Sequence, residues 1–220
     1  FSCMGHKEDA LQGEAEGCGP VQDFLSAMAR QHGLWLIGGT LSLTASVPGK
    51  VRNSCLVYDP QGQRVARYDK IHLFSLSKNG EHYDESTLIE PGHQPVALTT
   101  PFGRIGLGIC YDLRFPELYR SQQADAWLVP SAFTHTTGMA HWEVLLRARA
   151  IENLSFVVAS AQGGLHPSGR ETWGHSMVVS PWGEVEASLE KGVGVVAVDL
   201  DIQQLQTVRH QLQALQHRVL

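Results

Sequence analysis

A four-residue turn pattern recurs three times in the sequence and constrains its fold more than any other feature. Each copy begins with Asp, Thr or Ser, continues with Pro and has Gly in the fourth position; the copies span residues 59–62, 100–103 and 180–183. This order is typical of a type I turn, because Pro presets φ and Gly accepts the conformation at the exit. Apolar, β-branched runs flank each copy, so the pattern predicts a chain rich in short β-strands.

Two of these turns connect runs that we interpret as antiparallel hairpins. The first hairpin pairs residues 53–58 with residues 64–68, and the second pairs residues 176–179 with residues 184–187. Further short apolar runs predict strands at residues 34–43, 105–110, 127–129, 156–160 and 193–200.

Helical periodicity appears between the predicted strands. Residues 21–32 carry apolar side chains on one face and end at Gly33, which readily forms a left-handed cap. Residues 116–123 and 141–153 are predicted as two further helices. Strands that alternate with helices predict a layered domain of the α/β (α+β layered) class, with one domain over residues 1–220. The polar and apolar alternation of the hairpin strands favours helices on only one face of each sheet.

The charge balance excludes several classes of partner. Seventeen basic and 22 acidic residues give a net charge of −5, and no basic cluster is denser than Arg64, Arg67 and Lys70. We therefore expect neither nucleic acid nor a membrane surface as a partner. No apolar run reaches the ~20 residues of a membrane span, and the N-terminus lacks a signal-peptide pattern. These observations predict a cytoplasmic protein.

The cysteine and histidine spacings argue against a metal site. Cys3, Cys18, Cys55 and Cys110 are 15, 37 and 55 residues apart, so no pair has the spacing of a zinc clamp or a redox dithiol. Free thiols in a reducing compartment are the expectation. The eleven histidines are scattered, and His135 and His141 are six residues apart, which does not place them on one helical face.

Cys110 lies where a predicted strand gives way to a polar turn and then to a helix. A thiol at the carboxyl end of a strand, near a helix N-terminus, is placed where partial positive charge favours the thiolate. The backbone N–H that follows could donate to a developing oxyanion. A buried strand-end cysteine without reactivity is the alternative interpretation of the same pattern.

A lysine lies at the end of another predicted strand, in the segment Tyr-Asp-Lys-Ile-His-Leu-Phe at residues 68–74. Most lysines are solvated surface charges. Lys70, flanked by residues suited to a core, could instead stabilise the negative oxygen of a tetrahedral carbonyl adduct and supply a proton to an amine leaving group.

These segments resemble the nitrilase-type carbon-nitrogen hydrolases, within their amidase branch. Residues 68–74 are similar to the lysine motif of that family, and residues 108–117 are similar to its nucleophile motif. Further similarities lie at residues 130–133, 140–143, 147–153 and 174–183. The resemblance implies a four-layer αββα sandwich, a homodimer or higher homo-oligomer, and a Glu-Lys-Cys triad that uses no metal or organic cofactor.

The resemblance also implies a role for each matching residue. Cys110 would attack the amide carbonyl and form a thioester, while Lys70 and the Tyr111 N–H would stabilise the oxyanion. Glu85 matches a glutamate that orients the lysine and the substrate, although a solvated loop carboxylate remains an alternative. Arg114 matches a position that grips the carboxylate of 2-oxo acid amides, as suits a planar guanidinium. A structural ion pair of Arg114 with Asp112 or Glu117 is the alternative.

The general-base glutamate of the family motif has no match in the sequence. Glu8, Glu14 and Glu16 are the only early glutamates, and none of them follows an apolar strand. Phe1 resembles the aromatic residue that follows the base in the family. The expectation is therefore that an N-terminal strand-helix-strand with the base precedes Phe1, and that the chain without it lacks activity.

The segment from Ser131 to Glu152 is most similar to the branch that hydrolyses deaminated glutathione. The resemblance thus implies a small-molecule amide substrate of the 2-oxo acid type. Two alternatives remain open. One is an ω-amidase acting on 2-oxoglutaramate or 2-oxosuccinamate, and the other is a non-catalytic nitrilase-fold module retained for protein contacts.

Overall fold

A computed structural model describes residues 11–78 and 80–219. The described residues group into two compact units, which divide between Val96 and Ala97. The single domain expected over residues 1–220 stays a prediction. No helix in the described ranges combines the length and apolarity that a membrane span requires.

In its described part, the first unit contains one α-helix and six strands. These elements are α1 (Pro20–His32), β1 (Leu36–Ile37), β2 (Leu41–Thr44), β3 (Val51–Tyr58), β4 (Arg64–Asp69), β5 (Ser75–Lys78) and β6 (Glu81–Asp84). Strand β3 is central to a four-stranded antiparallel sheet, because β4 pairs along one edge while β1 and β2 pair with successive parts of the other. Strands β5 and β6 form a separate hairpin, followed by a 3₁₀ helix at Glu85–Thr87.

Helix α1 packs its apolar face on this sheet. Leu25 and Ala29 join Leu41, Leu56 and neighbouring side chains in one buried cluster. The helix ends at Gly33, whose φ of +63° forms the predicted left-handed cap. The predicted hairpin of β3 and β4 and the α1 helix are therefore confirmed.

The second unit carries a six-stranded sheet and three helices. Its elements are β7 (Val96–Thr100), β8 (Gly103–Leu107), α2 (Pro116–Gln122), β9 (Ala126–Leu128), α3 (His135–Asn153), β10 (Phe156–Ala159), β11 (Gly163–Leu165), β12 (Glu171–Trp173), β13 (Ser176–Val179), β14 (Val185–Leu189) and α4 (Ile202–Gln211). The strand order is β14-β13-β10-β9-β8-β7, and β11 pairs with β12 in a separate hairpin.

Parallel strands β8, β9 and β10 form the centre of the sheet. Their hydrogen-bond ladder continues past the strand ends, since the Gly108 and Cys110 N–H groups donate to Leu128 and Pro130 over 3.1 and 3.0 Å. Such a carboxyl edge of parallel strands, with helices between them, is where α/β proteins commonly place their sites.

Helix α3 begins at His135, six residues before the predicted start. The Thr134 hydroxyl accepts from the Thr137 N–H and caps the helix. Gly138, which weakens a helical prediction, is required by close packing, because a Cβ there would lie 2.2 Å from the Cβ of Trp173. The early turn of α3 is thus stabilised by a tertiary contact.

Two predicted strands are wrong in detail. Residues 34–43 form two strands, β1 and β2, because Gly39 takes a φ of +66° between them. Residues 193–200 form no strand at all: Val193 and Val195 are fully exposed, and no described strand offers them a ladder. In addition, β3 does not alternate as expected, since all its residues except Arg52 are buried.

We expect the contacts of Arg209, a residue of α4, to contribute strongly to the stability of the second unit. Its guanidinium donates to the carbonyls of Leu154 and Ala124 and pairs with Asp125 over 2.6 Å. Arg209→Lys removes the planar fork and should lower the free energy of unfolding by about 2 kcal/mol in urea denaturation. Arg30→Lys, at an exposed position of α1, is the control; equal stability of both variants would contradict this account.

Candidate functional site

Cys110 has a backbone conformation that few non-glycine residues adopt. Its φ is +52°, and only three other described non-glycine residues have positive values. Strand β8 ends at Leu107, before the predicted end at Cys110, because the Ile109 N–H turns to the Asp112 carboxylate over 2.9 Å. Left-handed backbone costs an L-residue roughly 1–2 kcal/mol and is concentrated at functional sites. Cys110 therefore begins a 3₁₀ helix, Cys110–Arg114, in a strained turn.

Buried polar contacts hold this turn on α3. Asp112 is fully buried, and its backbone N–H returns a bond to the Ile109 carbonyl. From α3, the buried Arg149 donates to the Leu113 carbonyl over 2.9 Å and pairs with Glu152 over 2.6 Å. Hydrogen bonds from buried side chains thus hold the turn that carries the cysteine.

Arg114 lies at the end of the same 3₁₀ helix. Its Nη2 is 3.2 Å from His141 Nδ1, and its Cζ lies 5.7 and 5.6 Å from the ring centres of Tyr111 and Phe133. Since guanidinium has no acceptor, His141 Nδ1 accepts this bond. The alternative partner Asp112 is instead engaged with Ile109, so His141 and two aromatic rings orient Arg114.

Lys70 and Glu85 are brought together in the first unit. The Lys70 side chain is fully buried directly after β4, and its Nζ contacts Glu85 Oε2. Its backbone is fixed as well, because its N–H donates to Asn53 and its carbonyl accepts from Gly92. A buried ammonium requires such an anionic partner.

Glu85 has a second partner that the sequence did not reveal. Its Oε2 also accepts from the Phe74 N–H over 2.8 Å, while its own N–H donates to the Phe74 carbonyl. With only 16% of its side chain exposed, Glu85 is not a solvated loop carboxylate. The interpretation that it orients Lys70 agrees with this geometry.

The other described cysteines have different surroundings. Burial raises the pKa of the Cys55 thiol to about 12, which makes this core residue a poor nucleophile. Cys18 is exposed on the loop before α1. Cys3 lies outside the described residues.

The early glutamates of the first unit have structural partners. Glu14 accepts from the N–H groups of Val21 and Gln22 and so satisfies the first turn of α1. Glu16 pairs with Arg64 and Arg67. Glu8 lies outside the described residues. Within residues 11–78 and 80–219, no three His, Cys, Asp or Glu side chains group in a way that could hold a metal ion.

Sequence reasoning missed three residues near the cysteine turn: His141, Phe133 and Arg170. His141 and Arg114 are 27 residues apart, and Arg170 donates to the Ala132 carbonyl over 3.0 Å from a separate hairpin. Spacing carries no signal for such contacts. They follow from the position of α3 and the β11–β12 hairpin beside the sheet.

Comparisons with known proteins agree on one family. The family model described as carbon-nitrogen hydrolase matches residues 1–210. A deaminated glutathione amidase from Yersinia enterocolitica is 42% identical over 93% of this chain and 73% of its own length. An omega-amidase from Xenopus laevis is 39% identical over 88% of this chain and 71% of its own length.

Solved structures share the fold. Saccharomyces cerevisiae Nit3, a member of branch 10 of the nitrilase superfamily, matches with a TM-score of 0.87 and 28% identity, over 98% of this chain and 79% of that chain. A mutant amidase from Nesterenkonia sp. AN1, showing covalent addition of the acetamide moiety of fluoroacetamide at its active site cysteine, matches with a TM-score of 0.72 and 28% identity, over 90% of this chain and 69% of that chain. The expected α/β class and nitrilase-type fold are confirmed.

Because the Cys110 backbone is strained, we expect a glycine at position 110 to destabilise the protein no more than an alanine does. Cys110→Gly should be at least as stable as Cys110→Ala in urea denaturation, since glycine adopts a φ of +52° without the cost that alanine pays. The control is Ala140→Gly at an exposed position inside α3, which should lower the free energy of unfolding by about 1 kcal/mol. A similar loss for Cys110→Gly relative to Cys110→Ala would contradict the strained backbone.

The Lys70–Glu85 pair predicts a coupled effect on stability. Glu85→Gln leaves the buried ammonium without this carboxylate and should lower the free energy of unfolding by about 3 kcal/mol at pH 7. Adding Lys70→Met should restore most of that loss, because the buried charge is then absent. Urea denaturation of both single variants and the double variant tests the coupling; additive losses would argue against a direct pair.

Proposed function

The chain belongs to the carbon-nitrogen hydrolase family, and from this premise we propose that it hydrolyses the amide bond of small 2-oxo acid amides, with deaminated glutathione as the substrate. The observation that carries the proposal is Cys110, a cysteine in strained backbone at the carboxyl edge of a parallel sheet, within a family motif for the nucleophile. The name of the Yersinia relative supports the choice of substrate.

Acylation begins when the Cys110 thiolate attacks the amide carbonyl carbon. A carbon–sulfur bond forms, and the carbonyl π electrons move to oxygen as a tetrahedral oxyanion. As the oxyanion collapses, the carbon–nitrogen bond breaks and the amine departs with the proton that the thiol lost. Water then attacks the thioester, releasing the 2-oxo dicarboxylate and the free thiol. A general base, a glutamate by family resemblance, transfers these protons.

Lys70 and Glu85 stabilise charge in this scheme. The fully buried Lys70 ammonium is a preorganised cation of the kind that stabilises an oxyanion where water is excluded. Glu85, through its contacts with Lys70 and the Phe74 N–H, orients the ammonium. The Tyr111 N–H, next to the nucleophile, is the second oxyanion donor in this proposal.

Arg114 binds the carboxylate of the 2-oxo acid part of the substrate. It is four residues from Cys110 in the same short helix, and its guanidinium is oriented by His141 and two aromatic rings. A planar guanidinium binds a carboxylate through two parallel hydrogen bonds. This contact favours 2-oxo acids over simple neutral amides.

An ω-amidase is the second candidate function, favoured by the similarity to the Xenopus protein. Both reactions release a 2-oxo dicarboxylate, but one releases a dipeptide and the other ammonia. They therefore differ in the space and charge offered to the leaving group. The cytoplasmic location stays a prediction, as does the homodimer or higher homo-oligomer that the resemblance implies. The non-catalytic module is the alternative to both amidase functions.

Activity with matched cysteine variants tests the proposal. On protein expressed from its complete reading frame, release of 2-oxoglutarate from deaminated glutathione should fall at least about 10³-fold in Cys110→Ala, because the proposed thioester forms on the Cys110 sulfur. Cys18→Ser, at an exposed thiol, should retain the rate within about twofold. Activity that survives in Cys110→Ala would exclude the mechanism.

Arg114 should control affinity more than turnover. Arg114→Lys keeps the charge but loses the bidentate fork, so we expect KM for 2-oxoglutaramate to rise about tenfold or more with a smaller change in kcat. A simple amide without a carboxylate should show little change in KM. Equal effects on both substrates would argue that Arg114 is only structural.

A further inference from the structure

A second arginine contacts the segment that anchors the Cys110 backbone. The Pro130 carbonyl accepts from the Cys110 N–H, and two residues further along the Ala132 carbonyl accepts from Arg170 Nη2, both over 3.0 Å. The next residue, Phe133, is the ring over which the Arg114 guanidinium lies. The segment 130–133 therefore connects the nucleophile turn with two guanidinium groups.

Arg170 is held in place by the β11–β12 hairpin. Its carbonyl accepts from the His166 N–H across the turn, over 2.9 Å. The hairpin is itself attached to the anchoring segment, because the Trp173 N–H donates to the Phe133 carbonyl over 3.0 Å. Arg170 is thus preorganised at both its backbone and its guanidinium.

His166 adds no positive charge to that of Arg170 at this hairpin. Its Nε2 bonds with the buried Thr172 hydroxyl over 2.7 Å. Burial, and then the Arg170 guanidinium, lower the pKa of His166, so its ring is neutral at pH 7. Arg170 is the cation that the hairpin presents.

The two guanidinium groups differ in how they are linked to the nucleophile. Arg114 belongs to the cysteine turn itself, whereas Arg170 reaches it through Ala132 and Pro130. A peptide leaving group of two residues extends about 7 Å from the scissile nitrogen to its terminal carboxylate. A guanidinium, with five donors in a planar fork, matches a carboxylate.

We propose that Arg170 binds the terminal carboxylate of a peptide leaving group, so that the site binds one carboxylate on each side of the scissile amide. This inference rests on the proposed function, in which Arg114 binds the 2-oxo acid carboxylate. It makes Arg170 a specificity residue that distinguishes peptide-releasing substrates from ω-amides, whose leaving group is ammonia and carries no charge for Arg170 to bind.

The test compares three substrates on one set of variants. The substrates are deaminated glutathione, its analogue with the glycine carboxylate converted to a carboxamide, and 2-oxoglutaramate. In Arg170→Gln, kcat/KM for deaminated glutathione should fall about 10- to 100-fold, chiefly through KM, while the other two substrates change less than about threefold. Arg170→Lys, which keeps the charge without the fork, should give an intermediate loss confined to deaminated glutathione.

The matched control is Arg147→Gln. Arg147 also donates from its guanidinium to a main-chain carbonyl, that of Gly183 over 2.8 Å, but it does not contact segment 130–133. The Arg147→Gln variant should keep kcat/KM within about twofold of the wild-type value for all three substrates. The wild-type protein provides a test without mutation, since it should prefer deaminated glutathione to the carboxamide analogue at least about tenfold.

Two results would overturn the inference. If Arg170→Gln lowered kcat/KM equally for all three substrates, the role of Arg170 would be only to hold the Ala132 carbonyl. If kcat/KM for deaminated glutathione did not change, Arg170 would not bind the substrate. In both cases wild-type hydrolysis of 2-oxoglutaramate would leave the proposed amidase chemistry standing. A wild-type protein that hydrolyses none of the three substrates would overturn both the inference and the proposed function.

Discussion

The hydrogen bond from the Cys110 N–H to the Pro130 carbonyl is the contact on which the second unit's candidate chemistry depends. It extends the parallel ladder to three residues past the end of β8 and two residues past the end of β9, and so fixes the chain where it changes from strand to 3₁₀ helix. With the Ile109 N–H taken by Asp112, the next residue is forced into left-handed backbone. Arg149, from α3, then holds the end of the turn. Three hydrogen bonds, made by Cys110 and by its neighbours Ile109 and Leu113, therefore hold the strained turn.

In the first unit, the main physical constraint is the burial of a cation, the Lys70 ammonium. An ammonium with no exposed surface is stable only beside a carboxylate, and Glu85 is in turn held by the Phe74 N–H. In the proposed function this buried ammonium is the preorganised charge that stabilises the oxyanion. The pair in the first unit and the strained cysteine in the second unit are therefore separate observations that support one proposal.

Local patterns in the sequence predicted a good part of this structure. The hairpins around residues 59–62 and 180–183, helix α1 and its Gly33 cap follow from turn and capping chemistry within a few residues. The failures have tertiary causes. Helix α3 starts early because Trp173 packs on Gly138. Residues 193–200 were predicted as a strand, but none of the described strands pairs with them. The positions of Cys110 and Lys70 at strand ends made them candidates, and the resemblance added Glu85. His141 and Arg170 depend on contacts between distant segments that no spacing encodes.

The central claim is that Cys110 carries the acyl group of the substrate. Its most direct test is acid quenching of the protein during turnover of deaminated glutathione, followed by intact-mass and peptide mass spectrometry. The account predicts a mass increase of one 2-oxoglutaryl group on the peptide that contains Cys110, removable by hydroxylamine as expected for a thioester. Release of 2-oxoglutarate with the acyl group on another residue, or with no acyl-protein at any quench time, would contradict it.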